Sequence, residues 1–376
     1  MSWNSVIAQK RVKELLDGAL TRGRLAHAFL FTGPDGSGTD AMAIALAKIL
    51  NCRNSGSASV PCAVCPDCTA MAALQHPNLN LIFPLPIGRN EVAGDSPVAK
   101  LPADELEEVQ RQIALKAGSP YYRIVVPKAT TIKLNSIREM RRLASLSSFG
   151  HGKKIFIVLD AGEMRDEAAN ALLKTLEEPL PGTHIILCAE SVDELLPTIV
   201  SRCQRVSFDA LSDSDIQMAL TEREGVDPAP AALIAAVARG NYRMALELKD
   251  VDLNEYRDDI VELLRVFLYK SREDIYAEID RLGAAKDRIE VVRLLSLMQA
   301  WFHDSLALRN GMATKMEDEV LRKFTEAHPH IQYGPIAIRL DEAISEIGKN
   351  VYIPLLLTVL AIDIRNLVLT PVPYPS

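Results

Sequence analysis

Apolar positions along this chain recur at two spacings, and the switching between them predicts a mixed α/β region followed by helices alone. Residues 4–24 read as a helix with Val12, Leu15, Leu16 and Leu20 on one face. Ala28-Phe29-Leu30-Phe31 then forms a short continuous apolar run, as a buried strand requires, and a helical run ending near Leu50 follows it. Within 84–121, a stretch rich at first in Pro and Gly, Leu106, Val109 and Ile113 share one face of a short amphipathic helix. Ile124-Val125-Val126 is a strand candidate, and Asn135 to Leu146 a helix with Ile137, Met140 and Leu143 or Ala144 inward. Ile155-Phe156-Ile157-Val158-Leu159 reads as a buried parallel strand, Asn170 to Glu178 as a helix stopped by Pro179, and His184 to Cys188 as another strand. Beyond residue 251 only the helical period remains: Ile260, Leu263, Leu264, Phe267 and Leu268 mark one face, and Leu294, Leu297, Met298, Trp301 and Phe302 another.

Between the first strand and its helix lies Gly33-Pro34-Asp35-Gly36-Ser37-Gly38-Thr39-Asp40, the place of a phosphate-binding loop. The glycines leave backbone N–H groups free to converge, and the helix aims its positive end at the loop. Such a loop ordinarily continues after its last glycine with Lys, for the β- and γ-phosphates, and a hydroxyl for Mg²⁺. Thr39 and Asp40 stand there instead. Losing the ammonium removes an attraction of roughly 4 kcal/mol at a surface-like dielectric, and the Asp40 carboxylate adds a repulsion of similar order. Asp40 also satisfies the helix dipole from within. The plain reading is a turn kept for strand-to-helix geometry, in which ATP does not bind. Asp160, at the end of the 155–159 strand, occupies the position of a Mg²⁺-holding aspartate, but Ala161 follows where a water-activating carboxylate would be needed.

Composition narrows the picture. The chain has 376 residues, 24% of them charged, and a net charge of −7, which argues against a generally basic nucleic-acid binder. The N-terminal residues lack the pattern of a secretory signal, and the Val351–Ile362 run is too short for a membrane span, so a cytoplasmic protein is expected. In that reducing compartment Cys52, Cys62, Cys65 and Cys68 point to metal rather than disulfides; their C-x9-C-x2-C-x2-C spacing suits a closed, structural Zn²⁺ site of four thiolates. His76 is the nearby alternative ligand and reads as a loop residue before Pro77. Lys133, Arg138, Arg141 and Arg142 make a local basic cluster, read as a solvated helix face or, alternatively, a nucleic-acid contact.

Taken in order, His27 to Phe31, the glycine loop, the four cysteines, Asn170-Ala171-Leu172-Leu173-Lys174-Thr175-Leu176-Glu177-Glu178-Pro179 and Ser201-Arg202-Cys203 resemble the bacterial clamp-loader subunits of the AAA+ class. The resemblance covers residues 1 to about 250, apart from 84–121. It implies an α/β fold: a parallel-sheet AAA+ phosphate-loop domain over 1–210 with a zinc module at 52–68 and an insertion at 84–121, a helical lid at 211–250, and a helical collar at 251–370 before a short tail at 371–376. It further implies a hetero-pentameric ring with ATPase and clamp-opening subunits, acting on a sliding clamp and primed DNA, and no membrane.

By the same resemblance Arg202 is the trans-acting arginine that reaches the γ-phosphate of a neighbouring subunit, a role suited to a permanently charged, forked guanidinium. Arg243 matches a second sensor arginine, for which a structural ion pair or binding at the domain interface is expected in a site without triphosphate. Ala189 and Glu190 stand where a polar γ-phosphate sensor is usual. Gly33, Gly36, Gly38, Thr39, Asp40, Asp160 and Arg243 thus outline a degenerate nucleotide site, and the chain reads as a non-hydrolysing ring subunit. Two alternatives stay open: an ATPase in which Asp40 holds Mg²⁺ and another cation supplies charge, and a zinc-dependent nucleic-acid module.

Overall fold

The computed structural model describes residues 3–54, 60–146, 148–150, 152–178, 180–251, 253–285, 288–312, 314, 319–347 and 351–370. The chain divides into two compact units, one of residues 1–215 with 240–243 and one of 216–239 with 244–376.

The first unit is built on a five-stranded parallel sheet in the order β2-β3-β4-β1-β5, with β1 Ala28–Thr32, β2 Leu79–Ile82, β3 Lys154–Val158, β4 Thr183–Ala189 and β5 Gln204–Ser207. Every residue of β1 and β3 is buried, which is why both read as unbroken apolar runs. Helices α1 Lys10–Thr21, α2 Thr39–Asn51, α3 Pro66–Ala72, α4 Ala103–Gly118, α5 Leu134–Ser145, α6 Asp166–Glu177 and the single turn α7 Pro197–Val200 accompany the strands. Ile137, Met140 and Ala144 of α5 and Ala168, Leu172 and Leu176 of α6 close over Leu30, Phe156, Val158, Ile185 and Leu187 of the sheet. Lys154, at the start of β3, turns its ammonium to the Leu143 and Leu146 carbonyls, where a cation offsets the negative end of α5.

Three expectations need correction. The N-terminal helix begins at Lys10 rather than residue 4, because Gln9 is left-handed (φ 53°) and spends its amide on the Ser37 and Asp209 carbonyls. Ile124–Val126 is no strand: Val125 N–H donates to Gln112 Oε1 at 3.0 Å instead of to a ladder. Of the basic cluster before and within α5, Arg138, Arg141 and Arg142 are exposed, as a solvated helix face implies, but Lys133 is buried against Glu91 at 2.7 Å. Edge strands β2 and β5 have no counterpart in the hydrophobic pattern reading. Pro179 and the 371–376 tail lie outside the described residues.

Helix α8 Asp213–Glu224 leaves the first unit, and α9 Pro228–Ala238 and α10 Tyr242–Leu248 follow. The second unit continues through α11 Leu253–Tyr269, α12 Arg272–Ala285, α13 Arg288–Arg309, α14 Glu319–Ala327, α15 Tyr333–Ile347 and α16 Ile353–Leu369. Its long α13 is central, contacting α9, α11, α14 and α15. Both apolar faces read from the helical period, Ile260 to Leu268 and Leu294 to Phe302, are buried. Among the described residues, Leu355, Val359 and Ile362 of α16 are exposed. Among the described residues no helix is long and apolar enough to cross a membrane.

Candidate functional site

The glycine loop connects β1 to α2 at the carboxyl edge of the sheet, where open parallel sheets bind ligands. Its glycines are required by what presses on them. Gly36 is left-handed (φ 70°), and a Cβ there would overlap the Asn241 side chain. At Gly38 (φ 103°) a Cβ would stand 2.8 Å from Tyr121 Oη. The places a Cβ would take at these two glycines are therefore occupied by side chains of the same chain. Tyr121 Oη accepts from Ile7 N–H at 2.9 Å, and its ring meets the edge of Tyr242 at 4.9 Å between centroids. Gln9 ties the loop's far side through Ser37.

Charge in the loop is neutralised internally. Lys116, the one lysine of α4, is fully buried and sets Nζ 2.5 Å from Asp40 Oδ2 while donating to the Tyr122 carbonyl at 2.7 Å. Arg243 pairs with Asp35, lies 3.7 Å from the same Asp40 oxygen and donates from Nε to the Tyr121 carbonyl at 3.0 Å. Asn241 donates to Asp35 at 2.9 Å. Burial alone would push the Asp40 carboxyl up, but Lys116 and Arg243, helped by Lys116's hydrogen bond and by Arg123, hold it below its ordinary value. Thr39 offers its hydroxyl to Asp40 Oδ1 at 3.5 Å.

Asp160 meets a guanidinium at the end of β3: Arg123 Nη2 lies 3.1 Å from its Oδ1. Burial keeps the Asp160 carboxyl above its usual range, with Arg123 offsetting part of that and Asp40's charge adding to it. Ala161 is buried and carries no group able to polarise water, and Ala189 ends β4 with its carbonyl on Gly33 N–H at 3.3 Å. Glu190 turns a further carboxylate to the cavity, raised chiefly by burial and then by Asp35. What is left between Gly33, Gly36, Gly38, Asp40, Tyr121, Asp160 and Arg243 is a cavity of about 30 Å³. That is room for a water molecule or two, against the roughly 300–1,000 Å³ of small-molecule sites.

Arg202 stands apart from this cavity, just after α7, donating to the Thr198 carbonyl at 2.9 Å and pairing with Glu177 at 2.7 Å. Beside it runs an open groove of about 580 Å³ lined by Leu195, Pro197, Val200, Ser201 and Cys203 among others.

The four cysteines converge as their spacing implied: their sulfurs all lie within 4.8 Å of one another. Cys62 and Cys68 are 4.0 Å apart at Sγ, close to the roughly 3.8 Å edge of a tetrahedron with 2.3 Å metal–sulfur bonds. Backbone N–H groups already point at sulfur, from Cys62 to Cys52 at 3.2 Å, from Cys65 to Cys62 at 3.4 Å and from Cys68 to Cys65 at 3.4 Å. Such donors, first Val64's and then Cys65's, bring the Cys62 thiol down to about 6, while burial pushes Cys68 up. The set can hold a metal ion. His76 is not part of it: the buried ring bonds Asp67 at 3.3 Å and accepts from Asn78 N–H at 3.1 Å, fixing the start of β2 to α3.

Sequence reading missed Lys116, Tyr121, Arg123 and Asn241. Lys116 had a signal, because it falls seven residues after Val109 on the buried side of α4, where an unpaired lysine would not be stable.

A parallel sheet ordered 5-1-4-3-2, with a phosphate-type loop after β1 and an acidic residue at the end of β3, defines an AAA+-class α/β domain. The chain belongs to the DNA polymerase III delta subunit family, whose sequence profile matches residues 8–212. It is 27% identical over 319 residues to the DNA polymerase III subunit delta' of Bacillus subtilis, spanning 84% of this chain and 83% of that protein. To the DNA polymerase III subunit tau of the same organism it is 26% identical over 266 residues, 69% of this chain but only 39% of tau. Among solved structures, a DNA polymerase III gamma subunit-related protein of Thermotoga maritima aligns over 95% of this chain and 99% of its own, at 16% identity and a TM-score of 0.42.

Proposed function

We propose that this chain is a non-hydrolysing subunit of a clamp loader, a delta-prime-type stator that gives Arg202 to the ATP site of a neighbour. One observation carries the reading: Lys116 is committed to Asp40 and Arg243 to Asp35 and Asp40, beside a loop cavity of about 30 Å³. The cations that a triphosphate would need are bound to carboxylates of the same chain. Breaking such a buried pair costs about 3–5 kcal/mol before any ligand interaction begins. The same pairing speaks against Asp40 as a Mg²⁺ ligand in an active ATPase, because Lys116 and Arg243 already stand beside its Oδ2.

Further elements fit this role. Arg202 is not among the residues around its own chain's phosphate loop, as an arginine serving another subunit must not be, and its chain neighbours Ser201 and Cys203 line an open groove. Residues 211–250 serve as lid and 251–370 as collar of a hetero-pentameric ring that acts, with its ATPase and clamp-opening partners, on a sliding clamp and primed DNA. Cys52, Cys62, Cys65 and Cys68 hold a structural Zn²⁺, which closes a polar segment without an open coordination position.

Arg202→Ala in the reconstituted loader tests the finger: assembly is retained, and the ATPase rate falls by about 10³-fold or more at the site it serves. An unchanged rate removes this role from Arg202.

A further inference from the structure

Arg202 is placed by a residue on another helix. It follows a single-turn helix and is about one-third exposed, so by itself its long side chain would sample many rotamers, at roughly 2 kcal/mol of entropy. Nη1 donates to the Thr198 carbonyl at 2.9 Å and to Ser201 Oγ at 3.3 Å, both within its own turn. The outside contact is Nη2 to Glu177 Oε1 at 2.7 Å. Glu177 is the last residue of α6. A carboxylate there opposes the helix dipole, so it does not serve α6; it serves the cation it meets. Arg202 Nε–H has no partner among the described residues, so the guanidinium keeps a donor in hand while Glu177 is engaged.

We propose that Glu177 is a positioning residue for Arg202: it orders the guanidinium in the free subunit, through Nη2, so that the remaining N–H groups meet a neighbour's γ-phosphate without a prior search. This rests on the reading of Arg202 as a trans-acting group. Ordering the arginine in advance acts on the chemical step rather than on ATP binding.

The test uses the loader reconstituted from this chain and its ATP-hydrolysing partner subunits, with Glu177→Ala, Glu177→Gln, Arg202→Ala and the Glu177→Ala/Arg202→Ala double variant. Glu177→Ala lowers kcat about two- to fivefold, the rate equivalent of one exposed ion pair, and leaves KM for ATP unchanged. Glu177→Gln, which keeps the acceptor oxygen and loses the charge, falls between. The double variant matches Arg202→Ala alone, because without the arginine there is nothing to position. If Arg202→Ala lowers kcat but Glu177→Ala does not, or raises it, positioning by Glu177 is overturned and the finger stands. Additive losses in the double variant also overturn it, since they mark a role independent of Arg202. If Arg202→Ala has no effect, both the finger and its positioning fall.

Discussion

Replacing Lys116 with Met is the perturbation that the phosphate loop's internal pairing makes most informative. Methionine fills a similar volume but leaves Asp40, whose side chain is 15% exposed, without its nearest cation and the Tyr122 carbonyl without a donor. Removing one partner of a buried pair costs about 3–5 kcal/mol. Arg243, 3.7 Å away, compensates in part, so the low end, about 3 kcal/mol, is expected. The sign with pH follows from the Asp40 carboxyl. In the native chain its value is lowered, so its contribution is present above the ordinary carboxylate range and is lost as pH falls through the lowered value. In the variant burial is no longer offset by Lys116 and the folded value rises. The penalty is then absent at low pH and grows as pH rises through that new value. Hydrogen exchange in peptides from α2 and α4 reads this locally: at neutral pH, after correction for intrinsic rates, exchange should be about 100-fold faster than in the native chain. The difference should shrink towards pH 4. Adding Asp40→Leu should restore most of the protection, because a hydrophobic pair replaces a buried ion pair at little net cost. Native-like exchange in the single variant, or a deficit that does not change with pH, would refute the internal neutralisation of the loop.

Other outcomes follow from neighbouring features. Gly36→Ala should destabilise the chain by more than about 1 kcal/mol in chemical denaturation, since φ is 70° and the added Cβ overlaps Asn241; a neutral effect would mean that the loop is free of that contact. Elemental analysis of chain purified without chelator should find about one zinc per molecule, lost in Cys65→Ser; metal-free native protein would remove the zinc assignment. Glu91→Ala strands the buried Lys133 ammonium beside the Pro97 carbonyl and should cost about 3 kcal/mol by denaturation, whereas a loss under 1 kcal/mol would show that this ion pair does not fix the insertion.

The parts of the fold legible in the sequence are those where burial is complete and local. Strands β1, β3 and β4 stand at the centre of the sheet, so their apolar runs are unbroken, and α5 shows its period because Ile137, Met140 and Ala144 meet a flat sheet. Edge strand β5, Gln204–Ser207, buries only Val206, and four-residue β2 half-exposes Asn80 and Leu81; neither carries a pattern distinct from a loop. The site was legible as a set of losses at Thr39, Asp40, Ala161 and Ala189. What fills the loop was not, because Lys116 lies 76 residues from Asp40 and its charge, read alone, places it in solvent. Long-range pairing reverses that expectation: a lysine in register with an apolar stripe needs a buried anion, and Asp40 is that anion.

Equilibrium binding of labelled ATP to the purified chain, with and without Mg²⁺, tests the central claim most directly. A loop filled by Tyr121 and Asn241, with Lys116 and Arg243 held by Asp40 and Asp35, predicts no saturable binding up to millimolar ATP and no release of phosphate. Micromolar binding accompanied by turnover would contradict it and make the chain an ATP-hydrolysing subunit.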